Sequence, residues 1–181
     1  MNYISVSITR GRKKMKRDIT VELAGKNSLH KIVKILDGVT ENLLEKGIDQ
    51  WEYPWDEKVI IKDLLSNRVF VVNYKEQPIA TFSIKDINDC DNPYYKNMRG
   101  KYLYRLAVLP SVQGLGLGGE ILAYIREDYD FTHNDLYLDC WNGNDKLKEF
   151  YLRAGFKYIG DFPEDDYYIS VFKINEFATI K

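Results

Sequence analysis

Apolar residues recur along the chain at two spacings, every second position and every third or fourth, and the switches between them mark the elements. Tyr3–Thr9 alternates, with Ile4, Val6 and Ile8 on one side; this fits either an extra edge strand or a segment without fixed structure. Ile19–Leu23 predicts a short strand. Ser28 stands where a helix N-cap belongs, and Leu29, Ile32, Val33, Leu36, Val39 and Leu43 follow at helical spacing up to Gly47, the expected C-terminal glycine. Ile48–Trp55 is an aromatic loop, and Asp56 can cap a second short helix ending near Ser66. Arg68–Asn73 and Pro78–Ile84 read as a hairpin around Tyr74–Gln77. Asp86–Gly100 is a polar loop and Lys101–Val108 a strand. Glu120–Tyr129 predicts a helix with Ile121, Leu122, Ile125 and Tyr129 on one face, and Leu136–Cys140 a strand. Asn144 can cap a helix carrying Leu147, Phe150, Tyr151 and Ala154, which Gly155 ends; Phe156–Asp161 and Tyr167–Ile174 form a final hairpin.

The order is one strand, two helices, three strands, helix, strand, helix, hairpin. Short connections make the early strands antiparallel, and the helix between 101–108 and 136–140 makes that pair parallel by a right-handed crossover. The fold class expected is α/β (α+β), a mixed and mostly antiparallel sheet with flanking helices.

At 181 residues, 45% apolar and 29% charged, the chain is of one-domain size and average globular composition. The expected division is an N-terminal extension, 1–18, and a single domain, 19–181. No apolar run approaches the ~20 residues of a membrane span, and no signal-peptide core is seen at the start. Cys90 and Cys140 stand alone, which fits a reducing cytoplasm, and with His30 and His133 they offer no ligand spacing for structural zinc. Neither G-x-S-x-G nor G-x-x-x-x-G-K-[ST] occurs, which argues against triad hydrolases and P-loop NTPases. Residues 10–17 hold six basic side chains and no acid; the rest carries 20 basic against 27 acidic residues, about −7. The basic run reads either as a nucleic-acid or membrane-surface arm or as a solvated connector. An acidic body favours small cations over nucleic acid.

The informative stretch is Val108-Leu109-Pro110-Ser111-Val112-Gln113-Gly114-Leu115-Gly116-Leu117-Gly118-Gly119-Glu120: a strand, a glycine-rich turn, then a helix. Exposed N–H groups at a helix N-terminus, with glycines removing side chains, make an anion site suited to a pyrophosphate. Gly114-x-Gly116-x-x-Gly119 matches the dinucleotide fingerprint, with Asp139 twenty residues on. Five residues between strand and first glycine, antiparallel upstream strands and the short remaining chain argue against an oxidoreductase of that kind. The better match is Gln113-x-x-Gly116-x-Gly118, led in by Leu103–Val108 and followed by Asn144-x-x-Leu147-x-x-x-Tyr151-x-x-x-Gly155-Phe156. On these motifs and the element order, residues 19–174 resemble the GNAT acetyltransferase superfamily.

The resemblance implies a splayed parallel strand pair, 101–108 and 136–140, with acetyl-CoA between them as co-substrate. Leu106, Ala107 and Val108 would meet the pantetheine arm. The main chain of Gln113, Gly114, Leu115, Gly116, Leu117, Gly118 and Gly119 would hold the pyrophosphate, with Asn144 as helix cap or cofactor contact. Tyr151 is the expected general acid for the departing thiolate; its other reading is a core residue beside Leu147 and Phe150. Many relatives carry a glutamate on the strand before the glycine turn, where this chain has Tyr102 and Tyr104. Asp139, Glu52 and Asp56 are unranked candidates for the base, and a water chain is another. Cys140 reads as buried filler. Trp51, Tyr53 and Trp55, with Tyr104, are the expected acceptor site for a cationic small-molecule or peptide amine, or else a hydrophobic lid. A homodimer is left open; no nucleic acid or membrane partner is expected. The function implied is acetyl transfer to a primary amine in a ternary complex. A catalytically idle acyl-CoA-binding module is the alternative.

Overall fold

The computed structural model describes residues 13–14, 19–90, 93–96, 98–128 and 135–174; Tyr3–Thr9, Tyr129 and His133 lie outside them. Eight strands form one sheet in the order β1-β2-β3-β4-β5-β6-β8-β7. They are β1 (Lys13–Lys14), β2 (Ile19–Leu23), β3 (Val69–Tyr74), β4 (Gln77–Asp86), β5 (Gly100–Val108), β6 (Asp135–Trp141), β7 (Lys157–Glu164) and β8 (Tyr167–Ile174). The helices are α1 (Leu29–Glu45), α2 (Glu57–Leu65), α3 (Leu117–Asp128) and α4 (Asp145–Arg153). Every described pairing is antiparallel except β5 with β6. A doubly wound parallel sheet is thereby excluded, and the dinucleotide reading with it. The short β1 comes from the basic run and pairs with β2 through Lys13↔Val21 and Lys14↔Thr20, so residues of the expected extension join the sheet.

Local chemistry fixes the element ends. Gly47 sits at φ +73 and ends α1 in a Schellman motif: its N–H reaches Leu44 and that of Ile48 reaches Leu43. The Asp56 carboxylate accepts from the N–H of Lys58, and Asn144 accepts from Leu147, so both expected caps form; Ser28 precedes α1 without a side-chain cap bond. α3 begins at Leu117, three residues before the expected Glu120, because the glycine turn itself winds into the first helical turn.

Alternation along the strands assigns the two faces. Phe70 and Val72 of β3 and Leu136, Leu138 and Cys140 of β6 pack with Ile121, Leu122 and Ile125 of α3 and Tyr151 of α4. Val69, Val71 and Ala107 pack on the other face with Ile32, Ile35 and Leu36 of α1 and Ile60 and Leu64 of α2. A smaller cluster of Ile87, Tyr95, Tyr137, Ile169 and Val171 supports the far end of the sheet.

Two irregularities of β5 create the site. Its pairing with β6 stops after Gly100↔Asp135, Lys101↔Leu136 and Tyr102↔Tyr137, and beyond Tyr102 the strands diverge. On its other edge, Thr81 faces Ala107 and Ser83 faces Tyr104, so Arg105 and Leu106 together oppose Phe82. This is a β-bulge, which bends the strand and re-aims side chains. Arg105 takes φ +52 to make it.

Candidate active site

The gap between β5 and β6 opens into a cavity of about 1470 Å³, bordered by residues from α1, the aromatic loop, β5, the glycine turn, β6 and α4. Ligand pockets commonly run ~300–1,000 Å³; this one has room for two ligands, one on each face of the sheet.

On the α3/α4 face lies the glycine turn. Gly114 and Gly116 sit at φ +79 and +80, where a Cβ strains the backbone, and a Cβ on either would meet nothing within 4 Å. The empty space above them is room for a ligand. The N–H groups of Gly114, Gly116, Leu117, Gly118 and Gly119 form no hydrogen bond with the described residues. Such a row of free donors at a helix N-terminus is an anion cradle. The Gln113 side chain donates to the carbonyl of Val108 at 2.8 Å and ties the turn to the end of β5. A Cβ at Gly118 would stand 3.1 Å from Cζ of Phe150, so this glycine lets α3 approach α4. Leu106 and Val108 border the cavity, and the edge of β5 beyond Tyr102 has no strand partner.

Tyr151 of α4 also borders the cavity, its ring held by Phe150, Phe156 and Phe172 at 5.5, 6.1 and 5.5 Å between centroids. Its hydroxyl has no hydrogen-bond partner among the described residues. Burial first, then the charges of Cys140 and Asp139, push its pKa far above the ordinary phenol value. Asn144 caps α4 and borders the cavity, so its two readings are compatible. Cys140 is buried, its thiol pushed up to about 12 by burial and then by Asp139; it is core filler.

The α1/α2 face holds a carboxylate. Asp139 borders the cavity, and its Oδ2 accepts from Tyr102 at 2.6 Å and Tyr95 at 2.7 Å. No hydrogen bond reaches its Oδ1 from the described residues. Burial raises the pKa of Asp139, opposed by the two phenols and by Lys85. Burial, with the Asp139 charge next, raises both phenols far above their usual value, so they remain donors. Of the other base candidates, Glu52 is exposed and Asp56 is spent capping α2; neither borders the cavity.

Trp51, Trp55 and Tyr104 border the same end, the two indoles edge to face at 5.6 Å. Trp55 is pinned to α1: its N–H donates to Asp37 and its indole Nε1 to Thr40, both at 2.9 Å. The cation over Trp55 is not a ligand but Arg105, whose guanidinium carbon lies 5.3 Å from its ring centroid. Three expected contacts fall outside the cavity border. Tyr53 is exposed on the outer side of the loop; Leu115 is exposed on the turn; the Ala107 side chain is buried under α1, which leaves the cavity only its main chain.

Sequence reasoning missed Tyr95, Arg105 and Asp63. Arg105 donates to Asp63 Oδ2 at 2.6 Å, and Asp63 also faces Arg68 at 3.6 Å. A carboxylate at position 63, on the helical face of Ile60 and Leu64, and an arginine inside the apolar run 103–108 were the available signals. Tyr95 lay in what reads as a polar loop. Among the described residues no group of three His, Cys, Asp or Glu is placed to hold a metal, and no helix is long and apolar enough to cross a membrane.

A model of the acetyltransferase (GNAT) domain matches residues 66–158, just over half of the chain. The uncharacterized N-acetyltransferase YesJ of Bacillus subtilis strain 168 is 37% identical over 60 residues, a span that is 33% of this chain and 33% of YesJ. A GNAT-family acetyltransferase from Streptococcus agalactiae 2603 superposes with a TM-score of 0.77 at 19% identity, over 91% of this chain and 99% of that one. RimL, a ribosomal α-N-protein acetyltransferase solved in complex with coenzyme A, superposes with a TM-score of 0.66 at 10% identity, over 91% and 98% of the two chains. The structural likenesses show the fold, and the domain match spans β3 to the start of β7, the segment that builds the splayed strands, the glycine turn and α4. The chain belongs to the GNAT acetyltransferase family.

Proposed function

We propose that this chain transfers an acetyl group from acetyl-CoA to a primary amine by direct attack, both substrates lying in the β5–β6 gap. The observation that carries this is the placement of a free-donor anion cradle on one face of the gap and a carboxylate oxygen without a hydrogen-bond partner among the described residues, Asp139 Oδ1, on the other. That RimL was solved with coenzyme A supports the cofactor.

The main chain of the turn from Gln113 to Gly119 holds the pyrophosphate, and the free edge of β5 at Leu106–Val108 meets the pantetheine arm. Asp139 takes the proton of the acceptor ammonium; its raised pKa makes it a better base than a surface carboxylate. The amine nitrogen then bonds to the carbonyl carbon, the C–S electron pair leaves with sulfur as a thiolate, and the surplus proton on nitrogen passes through solvent to that sulfur. Tyr151 donates a hydrogen bond from its O–H to that sulfur as its charge develops. With its pKa raised, the phenol always carries its proton and acts first as a hydrogen-bond donor to the thiolate.

The binding-only alternative drew on the lack of a carboxylate at positions 102 and 104; Asp139 supplies one from the neighbouring strand. Thiol release from acetyl-CoA across a panel of primary amines is the test. Tight CoA binding with no thiol released on any amine would restore the binding-only reading.

A further inference from the structure

We infer that the acceptor end of the cavity is a carboxylate site built on Arg105, so that the amine acetylated is an amino acid or another amine carrying a carboxylate; this rests on the acetyl transfer proposed above.

The bulge is the first support. A regular strand sends successive side chains to opposite faces, yet Arg105 reaches Asp63 and Trp55 on the α1/α2 face with the ring of its neighbour Tyr104 beside it. Arg105 holds a left-handed backbone, φ +52, to do so. Strained positions of this kind concentrate at functional sites.

The second support is what remains of the guanidinium. It is 17% exposed, and of its five N–H donors only one, on Nη1, has a partner, Asp63 Oδ2. The rings of Trp55 and Tyr104 lie against it, 5.3 and 5.0 Å from their centroids. With one donor taken by Asp63 and two rings at its side, the guanidinium keeps donors for a ligand in the cavity, and the group that matches its planar fork with two parallel hydrogen bonds is a carboxylate.

Charge gives the third. Arg105 itself borders the cavity. Lys46 borders the same cavity. An anionic group is therefore attracted to this end, while Asp139, on the next strand, receives the ammonium.

Matched pairs test this: L-lysine against cadaverine, L-phenylalanine against phenethylamine, L-methionine against 3-(methylthio)propylamine. Each is measured twice, by kcat/KM for thiol release from acetyl-CoA and by calorimetric Kd in the presence of CoA, which needs no turnover. The amino acid should be preferred by about 10²-fold in at least one pair, as for a buried charge pair. In Arg105→Gln the preference should collapse toward one. Arg105→Lys keeps the charge but not the planar fork and should fall between; CoA affinity reports that each variant is folded. Equal binding and turnover within all pairs would overturn the carboxylate site and leave acetyl transfer standing. Arg105-dependent binding of an amino acid without thiol release would uphold the site and remove the transfer. Binding of neither member of any pair would overturn the site.

Discussion

Tyr102 and Asp139 meet across a gap that the backbone leaves open. β5 and β6 stop pairing at Tyr102↔Tyr137, yet the phenol of Tyr102 reaches Oδ2 of Asp139 at 2.6 Å. Tyr95 donates to the same oxygen from the loop before β5. Side chains thus take over where the sheet ends, and they hold the carboxylate by one oxygen, Oδ2.

The replacement Asp139→Asn separates catalysis from stability. Burial raises the folded pKa of Asp139 above its unfolded value. A raised pKa favours folding below the unfolded pKa, and this contribution is lost as pH rises through the folded pKa. At neutral pH the ionised group therefore weighs on stability, and the neutral amide does not. Asp139→Asn should raise Tm at pH 7, by a margin that shrinks as pH is lowered, while kcat falls by about 10²–10⁴-fold. The wild-type kcat/KM profile should show an acid limb, displaced above the ordinary carboxylate range, that the variant lacks. A lower Tm at pH 7 would mean that the two phenol bonds outweigh the burial.

In the glycine turn, neighbouring positions should respond differently. Gly116 is at φ +80 with open space where a Cβ would stand, so Gly116→Val fills the room left for phosphate oxygens. CoA affinity should drop by at least about tenfold, more than any accompanying loss of stability explains, because valine at positive φ strains a local turn and leaves the core untouched. Gly118→Ala instead presses on Phe150 at 3.1 Å and should show first in Tm. Unchanged CoA affinity in folded Gly116→Val would remove the turn from the cofactor site.

Among the described residues, those bordering the cavity run from Val39 to Arg153. Deleting residues 1–18 removes β1, which adds only two paired residues at the sheet edge. Affinity for acetyl-CoA and turnover should be nearly unchanged. A large loss of either would show that the basic segment completes the site.

What was legible in the sequence is what depends on neighbours along the chain. Gly47, Asp56, Asn144 and Gly155 mark helix ends because caps are local, and the glycine turn shows itself for the same reason. The position of Asp139 was visible and its role was not: whether a carboxylate on β6 faces solvent or a cavity depends on where β5 stops pairing with it. The bulge was equally hidden. Nothing in Leu103–Val108 signals an extra residue, since the bulge is a matter of register against β4. The surroundings of the acceptor loop were hidden for a related reason. Its tryptophans fit a site for a cationic amine or a hydrophobic lid, and the sequence does not show that the cation reaching Trp55 comes from β5, far away in the chain.

Tyr151 offers the most direct test of the chemistry. Its ring packs on Phe150, Phe156 and Phe172, and its hydroxyl has no partner among the described residues. Tyr151→Phe keeps those ring contacts and removes only the oxygen, so Tm should not fall. With the phenol pKa raised by burial, the proton is present throughout the neutral range, and no limb of the pH profile between pH 5 and 9 should belong to this group. Its hydrogen bond matters only once charge develops on sulfur, so it belongs to the transition state. The expected result is a fall in kcat of about 10- to 10³-fold, at or below the usual general-acid range because water partly substitutes. KM for acetyl-CoA should hold, since an interaction made only in the transition state lowers kcat and kcat/KM together. A rise in KM at constant kcat would make the hydroxyl a binding group and place the donor elsewhere. No change in either would return Tyr151 to the core.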